Sequence, residues 1–322
     1  MKKYKLGAML VCYSMFALYG MANAIVVLDP GQLVPVPKEI SNGIDKVGEV
    51  KRALTSLKEN LSAIGDKVKS ISEFNKDNSK DKCNEAAKTA NENVTESMKS
   101  ITLAQSGIAD ILKTAKATKQ DLADGIVIQT EELINTASTQ KDGEIKANIL
   151  ANFENVKELG MQLAENVNEA FDTALNTVNQ NAQKSHEALM RLSKVAMVED
   201  KLNAQEQDLW RSQDLSKREQ FISDEGINMI EKAHEQYNRE YKEKFSDELN
   251  NYQKVVIAYA EGNANKEDVI SAGEQFKLAA ASLNVLLNED NRESYEKKAT
   301  EMQHEVENAT NDIIQRFEVK QG

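Results

Sequence analysis

After Pro37 the chain runs 285 residues to Gly322 without another proline. Proline has no amide hydrogen to donate, and its ring collides with the preceding helical turn, so it marks helix ends and loops. Its absence over such a length predicts long helices joined by short polar turns. Aromatic residues make up only 5% of the chain and charged residues 29%. Half-exposed helices with narrow apolar stripes need few large side chains, so this composition fits them. No sustained period-2 alternation and no internal repeat is visible. The expected fold class is all-α, an elongated bundle of long antiparallel helices with coiled-coil-like packing.

The sharpest periodicity lies in residues 38–73. Val47, Val50, Leu54, Leu57, Leu61, Ile64, Val68 and Ile71 recur at alternating spacings of three and four, and Ile40 extends the series upstream. This is an a/d heptad seam, which needs a facing helix from this chain or another. The polar run 74–84 reads as a loop, and residues 85–322 as the rest of the bundle. Within it, Met98 to Ala115 and Leu122 to Ala137 read as two helices. Residues 144–201 read as one very long helix. A looser region around Trp210 leads to a stripe of Ile230, Tyr237, Tyr241, Phe245, Leu249, Tyr252, Val256 and Tyr259, closed by Gly262 as a left-handed cap. Two further helices carry Ala272, Phe276, Ala280, Leu283 and Leu287, then Tyr295 to Phe317.

The N-terminus predicts export. Lys2, Lys3 and Lys5 precede an apolar stretch from Leu6 to Tyr19, and Ala22-Asn23-Ala24 supplies the small-x-small pattern of a signal-peptidase site. The apolar stretch is shorter than the roughly 20 residues a membrane-spanning helix needs. Residues 1–24 are therefore expected to be removed, leaving no transmembrane segment and a mature start at Ile25 in the periplasm, pilus or cell surface. An extended segment, 25–37, would follow. Cleavage removes three lysines and takes the net charge from −12 to −15. That charge repels phosphate backbones and disfavours nucleic-acid binding. Cys83 would be the mature chain's one cysteine, without an internal disulfide partner, among charged neighbours that predict exposure.

Catalytic patterns are sparse. Each histidine is followed by glutamate, but the second histidine of an HExxH zinc site is replaced by Met190, Asn238 and Asn308. Glu231-x-x-His234 and Glu301-x-x-His304 have the spacing of a di-iron carboxylate bundle. His304, however, lies about 200° round the helix from the stripe residue Met302 and should face solvent. No phosphate loop or serine-nucleophile motif is present. The expectation is no enzyme, no cofactor and no metal.

The mature start, Ile25-Val26-Val27-Leu28-Asp29-Pro30, followed by Leu33 and Val34 and then long helices, resembles the minor-pilin family of type IV secretion and conjugation systems. That group includes TrbJ and its VirB-type relatives. Tyr259-Ala-Glu-Gly262-Asn263 before an alanine-rich helix is also similar. The resemblance implies a helical subunit, without catalytic residues, placed on a pilus. There it would contact the major pilin, other secretion-apparatus subunits and a recipient or host cell surface. The alternatives are a stand-alone periplasmic or surface coiled-coil adhesin or scaffold and, behind it, a di-iron carboxylate enzyme.

Overall fold

The computed structural model describes residues 38–69, 80–136, 142–198, 204–282 and 287–319. The leader, the 25–37 segment, Ile71 and Leu283 lie outside the described residues, as do the side chains of Cys83, Trp210 and Phe317. The fold is an all-α helical bundle with no strand among the described residues. Its helices are α1 (Lys38–Gly65), α2 (Lys80–Thr136), α3 (Asp142–Val198), α4 (Ala204–Glu240), α5 (Asp247–Ala260), α6 (Lys266–Ala281) and α7 (Glu289–Val319). A π-helical turn, Tyr241–Ser246, joins α4 to α5.

Four sequence-based expectations are corrected, the first being the looser region around Trp210, which lies within α4. The helix expected over 38–73 ends at Gly65, and Asp66 to Val68 turn on short bonds such as Lys67 N–H to Ile64 C=O at 2.9 Å. The buried Asn93 takes over there, accepting from Lys69 N–H and donating to Lys69 C=O, each at 3.0 Å. Val68 thereby stays buried beyond the helix end. The loop expected over 74–84 yields to helix from Lys80, because the polar run Lys80 to Asn84 contains no proline or glycine to break a helix. The two helices expected over 98–137 are one. The polar stretch between them, Lys116 to Asp121, stays helical, with Thr118 and Lys119 buried.

The chain forms two compact units, each assembled from several segments. The first takes residues 38–49 of α1, 114–136 of α2 and 142–164 of α3, then 239–260, α6 and the residues after it to 282. Its core gathers Ile40, Leu122, Ile126, Ile149, Phe153, Val156, Leu249, Val256 and Val269 round an aromatic cluster. Phe153 meets Tyr252 edge-on at 5.3 Å, and Phe276 lies 5.6 Å from Phe245 and 6.1 Å from Tyr252. Edge-on and offset rings avoid facing their negative clouds at each other. Close approach of α1 to α2 rests on glycine. A Cβ on Gly125 would sit 2.4 Å from Ile40, and one on Gly43 would sit 2.7 Å from Leu122.

Within this unit α5 ends where the sequence indicates. Gly262 has φ +77°, and Asn263 N–H reaches back to Ala258 C=O at 2.8 Å. Asn265 then opens α6 with a capping box: its side chain accepts from Asp268 N–H at 2.9 Å, and the Asp268 carboxylate accepts from Asn265 N–H at 3.0 Å. Asn265→Ala should destabilise this unit by about 1 kcal/mol, measured as a lower denaturant midpoint at unchanged slope. An unchanged midpoint would show that the cap contributes nothing.

The second unit takes residues 50–69, 80–113 of α2, 165–198 of α3, 204–238 of α4, and the chain from 287 through α7. Here the α1 seam meets its partner. Leu57 packs so tightly on α2 that a Cβ on Gly107 would lie 2.7 Å from it. Ile101, Ile108, Val167, Phe171, Val178, Ile230, Tyr237 and Val306 complete a core rich in alanine. Lys58 pairs with Glu169 and Arg211 with Asp312, but these exposed pairs contribute little.

Candidate functional site

The seam residues singled out from sequence, Val47, Val50, Leu54, Leu57, Leu61, Ile64 and Val68, are all buried within the chain itself. They hold α1 in place and leave no free apolar ridge on that face. Ala22, Ala24 and Ile25 to Pro30 lie outside the described residues.

The histidines occupy different settings. His304 is 70% exposed, with Nδ1 3.7 Å from Glu307 on its own helix, as the angular argument anticipates. His234 stacks on Phe171 at 4.6 Å, and its Nε2 is hydrogen-bonded to Asn168 Oδ1 at 2.9 Å. Burial lowers its pKa from the ordinary value, against Asp172 and Glu235 pulling upward. The two Glu-x-x-His turns therefore face different surroundings. Among the described residues no three histidine, cysteine, aspartate or glutamate side chains converge as metal ligands would.

The third histidine, His186, leads to the most unusual chemistry of the second unit. Running back from Tyr237 along α4 in steps of four and three gives Ala233, Ile230, Gly226, Ser223, Glu219 and Ser216, all buried. Helical geometry puts such positions on one face. The face is apolar at one end and polar at the other, so a carboxyl occupies a core position. The Glu219 side chain is 1% exposed. Ser223 Oγ donates to its Oε1 at 3.1 Å, and its Oε2 lies 4.0 Å from His186 Nδ1 on α3. His186 Nδ1 is in turn hydrogen-bonded to Ser216 Oγ at 3.0 Å.

Removal from water pushes the Glu219 pKa up to about 7, outweighing the serine hydroxyls, which favour the charged form. A cleft of about 430 Å³ lies over the cluster, lined by Asn176, Gln180, Gln183, His186, Gln220 and Asp224 among others. This lining contains no lysine or arginine. Glu219 belongs to none of the histidine spacings that mark catalytic or metal motifs in this sequence. The three-four register of α4, extended upstream of Ile230, was the signal that could have found it.

Two other features stand apart. In the first unit Lys119 is buried and its Nζ has no hydrogen-bond partner among the described residues. Burial lowers its pKa to about 8, although Glu240 pulls the other way. In the second unit Phe221 is 69% exposed beside a cleft of about 360 Å³ formed with Lys217, Arg218, Ile222, Lys298 and Met302. Fold and site together define an all-α helical bundle with a buried, hydroxyl-rimmed carboxyl. No protein-family model matches the chain, and neither does any curated protein or solved structure.

Proposed function

We propose that this chain is an exported structural and adhesive subunit of a type IV secretion or conjugation apparatus, a minor pilus component working through protein contact. The mature start at Ile25 to Pro30, behind a cleavable leader, supports the placement. The observation that carries the contact role is Phe221, a large aromatic left in water on a rim with Lys217 and Arg218. Exposed aromatics with neighbouring arginine are the side chains that anchor protein interfaces. The patch sets apolar surface among paired charges, Arg218 with Glu305 and Lys298 with Glu225, with Glu301 in the cleft lining, and suits a partner presenting apolar and polar groups. No described helix is long and apolar enough to cross a membrane. Partners in this reading are the major pilin, other apparatus subunits and a recipient or host cell surface.

The test is made in the native envelope. Sheared pili should contain the chain with Ile25 as its first residue, and a photocrosslinker in place of Phe221 should capture the shaft subunit. Phe221→Ser should reduce that association at least tenfold while leaving the melting temperature unchanged. A chain that keeps its leader and stays in the cytoplasm would reject the reading. A processed chain that never accompanies pili would instead be a stand-alone scaffold or adhesin.

A further inference from the structure

We propose that Glu219, His186, Ser216 and Ser223 form a proton-operated latch between α3 and α4 of the second unit. It is closed while the Glu219 carboxyl is neutral and loosened when that group ionises. The inference is independent of the pilus reading. It starts from where the carboxyl sits. Glu219 holds a core position on the α4 face, and an ionised carboxylate there loses its hydration unless a cation or several donors replace it. Ser223 supplies one hydrogen bond, and the Ser185 hydroxyl on α3 also favours the charged form.

Among the described residues no permanently charged cation faces the cluster. From α3 comes His186, whose Nδ1 lies 4.0 Å from Glu219 and is hydrogen-bonded to Ser216 Oγ at 3.0 Å. From α7 comes Tyr295, whose hydroxyl bonds Met98 Sδ on α2 and whose pKa is raised by burial and by the charges of Glu219 and Glu225. On α4 itself Asp224 adds repulsion. The nearby cations are engaged elsewhere: Arg218 with Glu305, and Lys298 with Glu225. Among the described residues no lysine or arginine lies within ion-pair distance of Glu219.

A neutral carboxyl meets none of these penalties. Protonated, Glu219 fits between α3 and α4, where His186 and Ser216 bridge the two helices. Ionised, it gains by moving toward water, and the amide-lined cleft beside it offers a polar route. The sign follows from the raised pKa. The folded state binds the proton more tightly than the opened one, so closure is fully favoured below the ordinary glutamate range. It weakens as pH rises toward 7 and is constant above that.

Hydrogen exchange of the full chain, corrected for the intrinsic pH dependence, reads this directly in peptides spanning 212–226 and 176–190. Protection should fall up to about tenfold per pH unit between pH 5 and 6.5, the slope set by one linked proton, and level off above 7. Glu219→Gln should be flat across this range and as protected as the wild type at pH 5. Ser223→Ala, which removes a donor to the charged form, should move the plateau to higher pH. A flat wild-type profile, or a Glu219→Gln variant with the wild-type slope, would overturn the latch. If Glu219→Gln does not fold, carboxyl-carbon NMR of the wild type decides. A Glu219 midpoint near 7 supports the proposal, and one in the ordinary glutamate range rejects it.

Discussion

Leu61→Asp is expected to abolish the cooperative unfolding transition of the second unit. Leu61 is fully buried in the α1 seam, four residues on from Leu57. Removing a buried leucine side chain costs about 2–5 kcal/mol through lost transfer energy and the cavity left behind. The aspartate adds the desolvation of a carboxylate that finds no cation in an apolar seam, several kcal/mol more. Together these reach the roughly 5–15 kcal/mol that holds an ordinary domain folded. Far-ultraviolet circular dichroism should show reduced helix content at 20 °C and a broad, early melt. The exposed neighbour Glu59 provides the control: Glu59→Lys should change stability by no more than about 0.5 kcal/mol. A Leu61→Asp protein that melts like the wild type would show that the seam is not part of the core.

That prediction could be written from sequence, because a two-residue-type pattern held for three heptads has few interpretations. The facing helix could not be. The spacing of Val47 to Val68 demands a partner without naming it. The answer depends on Gly107, Gly125 and Gly43, where missing side chains bring α1 and α2 together. Glycines within helical patterns look like weak points in a sequence, and here they are contact points.

Buried polar residues are what the sequence pattern hides best. Lys116 to Asp121 is mostly polar, yet Thr118 and Lys119 are buried and α2 passes straight through them. Glu219 is another buried polar residue, legible only in the three-four register of α4. The π-helical turn also has an origin in spacing. Tyr237, Tyr241, Phe245 and Leu249 are each four residues apart, and each such step overshoots a full α-helical turn by about 40°. A wider turn at Tyr241–Ser246 absorbs that drift and keeps Phe245 buried and stacked near Tyr241 at 5.8 Å. On the opposite helix Gly160 leaves the space, since a Cβ there would lie 2.7 Å from the Phe245 ring.

Gly226→Val is expected to lower the stability of the second unit by about 3 kcal/mol. A Cβ at this position would stand 2.4 Å from Tyr295 Cζ and 2.6 Å from Ile101 Cγ2. Neither neighbour gives way cheaply: the Tyr295 ring is rigid and buried, and Ile101 is held in the α2 core. Overpacking of a filled core costs about 1–3 kcal/mol, and the further branches of valine add to the collision. Displacing α4 would also weaken the 3.1 Å bond from Gln105 Nε2 to Gly226 C=O, about 1 kcal/mol more. The gain in helix propensity over glycine, a few tenths of a kcal/mol, offsets little of this.

A double-mutant cycle separates collision from a general intolerance of the site. Tyr295→Ala alone should destabilise by about 3–5 kcal/mol, the range for a large buried aromatic. Combined with Gly226→Val it should cost at least about 1 kcal/mol less than the sum of the two, because the valine then occupies part of the vacated space. Strictly additive losses in urea titrations would mean that Tyr295 is not what the glycine accommodates. The result bears on the latch as well. Gly226 sits seven residues from Glu219 on the same α4 face, and Tyr295 feels the Glu219 charge. Packing that forces α4 away from α7 should therefore loosen the carboxyl's surroundings and flatten the pH profile of the single variant.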